Sequence, residues 1–212
     1  MNVAKFTFND FLENTYVIYD ETKDCIIVDP GCNSIAEEKM LADFIEAQAL
    51  VPKQLLNTHC HIDHVLGNAF VADKYNLKLT THKGENMELM ACNMVSQMYG
   101  IPYTQSPPIE VFVDEGDKIS LGNIELDVFF TPGHSSSSIV FYHQASHQVI
   151  GGDVLFQGSI GRTDLPGGDF ETLLSSIKNK LLVLPDETIV YPGHGEKTTI
   201  GTEKRTNPFL QN

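Results

Sequence analysis

Long apolar runs are missing from this sequence, cysteines are few and basic residues are scarce. No window approaches the roughly eighteen consecutive apolar residues that a membrane span needs, and residues 1–11 lack a basic stretch followed by an apolar run. No membrane association is expected, and nothing suggests export. Four cysteines, Cys25, Cys32, Cys60 and Cys92, are too scattered over 212 residues to read as a disulfide scaffold, so a cytoplasmic location is expected. Lysine and arginine total 14 against 28 acidic residues. The resulting net charge of −14 would repel a phosphate backbone, which argues against nucleic acid as a partner.

What is present is ordinary globular material, 42% hydrophobic and 20% charged. The length suits one core, and a single hydrolase domain over 1–212 is expected. Short apolar or alternating runs at 5–8, 15–19 and 25–28 predict an opening strand meander. Ser34 and Glu37 have capping-box spacing ahead of Leu41, Phe44, Ile45 and Ala49, which predicts a helix over 35–49. Residues 54–57 read as a short buried strand, 65–75 and 83–99 as helices, and 100–108, with three prolines, as a loop. Strand patterns return at 124–130, 138–143 and 148–150. A helix capped by Asp169 is expected over 170–182, and a last strand over 189–191. Mixed sheets covered by helices follow from that order.

The segment Thr58-His59-Cys60-His61-Ile62-Asp63-His64 concentrates three imidazoles and a carboxylate, donors that zinc and iron favour. On an extended backbone His59 and His61 project to the same side, and Asp63 and His64 swing away as a helix begins. One segment can thus serve two neighbouring metals. Three further candidates follow apolar strands beside glycines: His134 in Thr131-Pro132-Gly133-His134, Asp153 in Gly151-Gly152-Asp153, and His194 in Tyr191-Pro192-Gly193-His194.

This HxHxDH pattern with three later ligands at strand ends resembles the metallo-β-lactamase fold superfamily over nearly the whole chain. The resemblance implies an α/β fold, a four-layer αββα sandwich with the metals at one edge. It implies that His59, His61 and His134 hold one metal, that Asp63, His64 and His194 hold the other, and that Asp153 bridges. Position 153 is not the cysteine of many zinc β-lactamases, and position 61 is not the glutamate of flavodiiron proteins. Thr131-Pro132-Gly133-His134, Gly152-Asp153-Val154-Leu155-Phe156 and Gly161-Arg162-Thr163-Asp164 look like short glyoxalase II-type thioesterases (hydroxyacylglutathione hydrolases).

The implied chemistry is hydrolysis of a small-molecule thioester by a hydroxide shared between two divalent metals, zinc by first expectation, with iron or manganese also compatible. Asp153 would fix the metal spacing, and Asp153 and Asp63 would orient the hydroxide. Asp29, at the end of Ile26-Ile27-Val28-Asp29, is the candidate to orient the imidazoles. Arg162, one of only two arginines, is the candidate clamp for a substrate carboxylate. Asp164 stands where a glutathione-contacting tyrosine is usual in that family. Gly195-Glu196 replaces the usual Glu-Tyr, and no helical domain follows Thr206. The thiol can therefore be glutathione or another.

Cys60 is expected to point away from the ligands into the core. His82, His143 and His147 lack companion ligands at useful spacing and are expected in surface or hydrogen-bonding roles. The series Met87, Met90, Met94, Met98 suits core packing or a dimer face, with a substrate groove as the minor option. Two enzymatic rivals share the fold: a persulfide dioxygenase with one iron on His59, His134 and Asp153, and a tRNA-processing nuclease, which would need a basic surface that this chain lacks. The oligomeric state is not readable from sequence.

Overall fold

The strand meander expected at the start is present. In a computed structural model describing residues 1–211, β1 (Asn2–Phe8), β2 (Glu13–Tyr19) and β3 (Asp24–Val28) pair antiparallel in succession. Ser34 then caps α1 (Ile35–Ala47) by accepting the Glu37 N–H. Leu41 and Ile45 are the buried residues of this helix, each contributing roughly 2 kcal/mol of apolar burial. The chain returns as β4 (Val51–Leu56), parallel to β3, and the histidine cluster follows immediately.

The helix expected over 65–75 is interrupted. A single turn, α2 (Ile62–Val65), precedes α3 (Asn68–Tyr75), because the Gly67 N–H leaves the helical ladder to donate to Pro30 O at 2.7 Å. After β5 (Leu79–Thr81), a 3₁₀ turn at Lys83–Glu85 leads into α4 (Asn86–Tyr99), and β6 (Ile109–Phe112) closes a six-stranded sheet in the order β1-β2-β3-β4-β5-β6. β3 to β6 run parallel, so the segments after β3 and β4 emerge at the same end of the sheet.

A second six-stranded sheet has the order β14-β13-β10-β9-β8-β7. Its strands are β7 (Lys118–Leu121), β8 (Ile124–Phe130), β9 (Ile139–His143), β10 (Gln148–Gly152), β13 (Ile189–Pro192) and β14 (Thr198–Thr199). A small ribbon, β11 (Leu155–Phe156) with β12 (Ser159–Ile160), follows β10. Asp169 caps α5 (Phe170–Ser176) through the Thr172 N–H, and the helix widens into a π turn over Ile177–Leu181. α6 (Ile200–Thr206) was not expected from sequence. Its seven residues bury only Ile200, Gly201 and Glu203, which leaves no apolar period to detect.

The chain forms two compact units, Met1–Phe112 with Ser120–Ile124, and Val113–Ile119 with the chain from Glu125 onward. The first has a core built around Val17, Ile27, Leu41, Leu55 and Cys60, and the second one built around Val140, Val149, Leu173, Ile177 and Val190. Core packing for the methionine series is overturned. Met87, Met90, Met94 and Met98 are 60–74% exposed, because α4 buries Leu89, Cys92 and Ser96 instead.

Candidate metal centre

In the first unit the candidate ligands sit where parallel β3 and β4 end. His61 precedes α2 with an extended backbone, so Asp63 and His64 fall within its single turn. The ring centroids of His59 lie 4.8 Å from His61 and 4.1 Å from His64. His59 and His64 are fully buried, whereas His61 and Asp63 keep partial exposure.

Asp29 organises this cluster. It follows β3 directly, with its backbone in the left-handed region at φ 49° and its N–H donating to Leu56 O at 2.9 Å. Its Oδ1 accepts from the Thr58 N–H at 2.7 Å and from Asn57 Nδ2 at 3.2 Å. Its Oδ2 accepts from Thr58 Oγ1 at 2.6 Å and lies 3.2 Å from His64 Nδ1. These contacts set proton positions. The single Thr58 hydroxyl proton goes to Asp29, so Thr58 Oγ1 is left to accept from His59 Nδ1, 3.1 Å away. His59 thereby carries the proton on Nδ1 and the lone pair on Nε2, the tautomer a metal needs, and the Asp29 carboxylate 3.2 Å from His64 Nδ1 favours the same placement there. Asp29, His59 and His64 have donor atoms within 4.8 Å of one another. Asp29 spends its oxygens on Thr58, Asn57 and His64, which makes it the orienting group.

Further polar support is buried around them. Asn57 Nδ2 also donates to His64 O at 2.9 Å, and Asn68 Nδ2 donates to Asn57 Oδ1 at 2.8 Å. Glu85 Oε2 accepts the Cys60 N–H at 2.8 Å. Glu13 Oε1 lies 3.9 Å from His64 Nδ1, and burial pushes its carboxyl well above the usual range while His64 pulls the other way. Glu13, Asn57, Asn68 and Glu85 were not singled out from sequence. The available signal was polar residues at strand ends beside the HxHxDH run, which is weak because such positions are usually solvated. Cys60 is buried in the apolar core, as expected, and burial raises its thiol well above the ordinary range.

In the second unit, β8, β10 and β13 deliver His134, Asp153 and His194. Gly133 has φ 127°, and a Cβ there would meet Leu173 N at 2.3 Å, so only glycine lets this turn pack against α5. Gly193 N–H donates to Gly152 O at 2.8 Å and ties the Asp153 and His194 turns together. Asp153 Oδ2 lies 3.5 Å from both His134 Nε2 and His194 Nε2. His134 Nδ1 lies 2.8 Å from Arg162 O, and a carbonyl can only accept. His134 therefore also carries its proton on Nδ1 and its lone pair on Nε2.

The Arg162 side chain is engaged by Asp164, with Nε to Oδ1 at 2.7 Å and Nη2 to Oδ2 at 2.8 Å. The other three histidines make local bonds: His82 Nδ1 with the Gly84 N–H, His143 Nδ1 with Ser146 Oγ, and His147 Nδ1 with Tyr142 Oη. Imidazole lone pairs and carboxylates make both donor sets fit for divalent cations.

A family model described as the metallo-β-lactamase superfamily matches residues 9–194. The chain belongs to the metallo-β-lactamase superfamily. Among relatives of this superfamily member, a probable metallo-hydrolase of Bacillus subtilis is 39% identical over 93% of this chain and 92% of its own. A hydroxyacylglutathione hydrolase of Haemophilus influenzae is 37% identical over 99% of this chain and 98% of its own. Among solved structures, the BLEG-1 B3 metallo-β-lactamase has TM-score 0.91 at 38% identity, covering 100% of both chains. TTHA1623 in a di-iron-bound form has TM-score 0.87 at 37% identity, covering 98% of this chain and 100% of its own. ETHE1 from Myxococcus xanthus has TM-score 0.80 at 27% identity, covering 98% of this chain and 84% of its own. The family and fold class expected from sequence, the αββα sandwich of the metallo-β-lactamase type, are those of the chain. Among the described residues no helix is long and apolar enough to cross a membrane.

Proposed function

We propose that this superfamily member is a thioester hydrolase resembling glyoxalase II. Its metal ligands in that reading are His59, His61 and His134 for one divalent ion and Asp63, His64 and His194 for another, with Asp153 shared. When bound, such ions supply a Lewis acid and lower the pKa of water to near neutral, from about 15.7. The chain's residues do the rest. Asp29, Thr58 and the Arg162 carbonyl hold the imidazole lone pairs in place, which spares reorganisation during turnover. Asp63 and Asp153 accept hydrogen bonds from the attacking water. Arg162 is the candidate contact for the thiol half of the substrate.

The observation that carries this reading is the full-length likeness to a hydroxyacylglutathione hydrolase. The substrate is a small molecule, and zinc is the first choice of metal. The likeness to a di-iron-bound protein supports iron as an occupant of the same ligands. A second reading, the mononuclear-iron persulfide dioxygenase, is favoured by the likeness to ETHE1.

Elemental analysis of the purified protein, with assays of S-lactoylglutathione and S-acetyl-N-acetylcysteamine cleavage with and without oxygen, tests the proposal. Two metals per chain and oxygen-independent cleavage of either thioester are expected. One iron with persulfide-dependent oxygen uptake would replace it with the dioxygenase, and cleavage of β-lactams alone would replace it with a lactamase.

A further inference from the structure

Met87, Met90, Met94 and Met98 are 60–74% exposed on α4, whose buried residues are Leu89, Cys92 and Ser96. At about 100° per residue the two sets fall on opposite sides of the helix. The methionines therefore point away from the unit that carries them, and only something outside it can cover them. Taking roughly 200 Å² for a fully exposed side chain of this size, the four present on the order of 550 Å², at the upper end of the apolar patches of about 300–600 Å² found on monomers. Exposed Asn86, Asn93 and Gln97 border the stripe on one side and half-buried Ala91 and Val95 on the other. With these borders the face approaches the roughly 800 Å² that each partner contributes to a stable protein interface.

Charge distinguishes this face as well. Glu88 is the one charged residue of the sequence from 86 to 99, whereas α1, of similar length, carries Glu37, Glu38, Lys39, Asp43 and Glu46. Methionine at the centre, neutral polar groups around it and few charges are the composition of an interface core. In a chain of net charge −14, such a face lets two copies approach without like charges between them. An anionic membrane surface would call for lysine or arginine beside the apolar stripe, and α4 has neither.

We propose that the methionine face of α4 is the interface between two copies of this chain, paired antiparallel about a twofold axis at the middle of the helix. That arrangement sets Met87 beside the partner's Met98 and Met90 beside the partner's Met94. The three- and four-residue spacing of the stripe is that of a helix-pair seam, and unbranched methionine fills the irregular gaps in one. The two copies of Glu88 stay about 13 Å apart along the helix axis. A twofold contact uses the same patch on both copies and closes on itself, so the assembly stops at two.

Analytical ultracentrifugation of the metal-loaded full chain over a concentration series tests this. The parent is expected at twice the chain mass at micromolar concentration. Met90→Lys/Met94→Lys is expected at the chain mass, a halving, with the circular dichroism spectrum of the parent. The added lysines reduce the net charge of −14, so general repulsion between copies cannot cause that dissociation. Met90→Leu/Met94→Leu, which keeps the face apolar, is expected to remain dimeric. Orientation is read by cross-linking with a short bismaleimide, the four native cysteines being buried. Met87→Cys mixed and exchanged with Met98→Cys is expected to cross-link, and neither alone, because like positions lie about 16 Å apart along the axis. A parent that stays at the chain mass, a lysine variant that remains dimeric, or cross-linking of Met87→Cys with itself would each overturn the inference. Flotation of a monomeric parent with phosphatidylcholine vesicles would also overturn it and assign the face to a lipid surface.

Discussion

Asp29 Oδ2 lies 3.2 Å from His64 Nδ1, and the residue that provides it sits in the left-handed region at φ 49°. A non-glycine residue held there carries a backbone cost that the surrounding hydrogen bonds must offset. Asn tolerates the same backbone but brings no negative charge. Asp29→Asn is therefore expected to leave the fold intact by circular dichroism and to weaken metal affinity about 10- to 100-fold in chelator competition. Unchanged affinity would show that Asp29 does not orient the imidazoles.

Loss of a ligand should be more drastic than loss of its support. His59→Ala and Asp153→Ala are each expected to abolish turnover in a protein that still unfolds cooperatively, and metal removal by a chelator should do the same reversibly. Turnover retained in either variant would remove that residue from the site.

Gly133 offers a stability test in the second unit. A methyl group at this φ of 127° meets the Leu173 backbone at 2.3 Å. Gly133→Ala is expected to cost about 3 kcal/mol from backbone strain and overpacking, read as a lower denaturant midpoint. A midpoint equal to the parent's would mean that the turn and α5 can separate without penalty.

The Arg162–Asp164 pair has a pH signature. The folded pKa of Asp164 is lowered from 3.8 to about 2 by the Arg162 hydrogen bonds. Between those values the unfolded chain binds the proton and the folded chain does not, so this small contribution to stability is present above pH 3.8 and lost as pH falls toward 2. Carboxyl NMR titration should place the Asp164 midpoint near 2 in the parent and return it toward 3.8 in Arg162→Gln. A parent midpoint near 3.8 would show that the pair does not form in solution.

Much of the fold was legible because its elements are locally written. The Ser34 cap, the Asp169 cap and the strand alternation from β1 to β3 are signals within a few residues of where they act. The interruption between α2 and α3 was not legible. Its cause, the Gly67–Pro30 hydrogen bond, joins residues far apart in sequence. The candidate ligand histidines stood out by density and by neighbouring glycines, whereas Glu13 and Asn57 gain their meaning only from where β2 and β4 place them beside His64. The methionine series shows the limit of periodicity. Spacing identifies a face of α4 without saying whether it turns inward, and the buried face proved to be that of Leu89, Cys92 and Ser96.

The carbonyl that fixes His134 belongs to the main chain of residue 162. Any amino acid at that position would present the same acceptor, so the side chain there is released from any duty to the ligand. Mutation can rewrite what this loop shows to a substrate while the imidazole behind it keeps its aim. Within such an architecture, new substrate preferences can be explored one side chain at a time without first surrendering the metal.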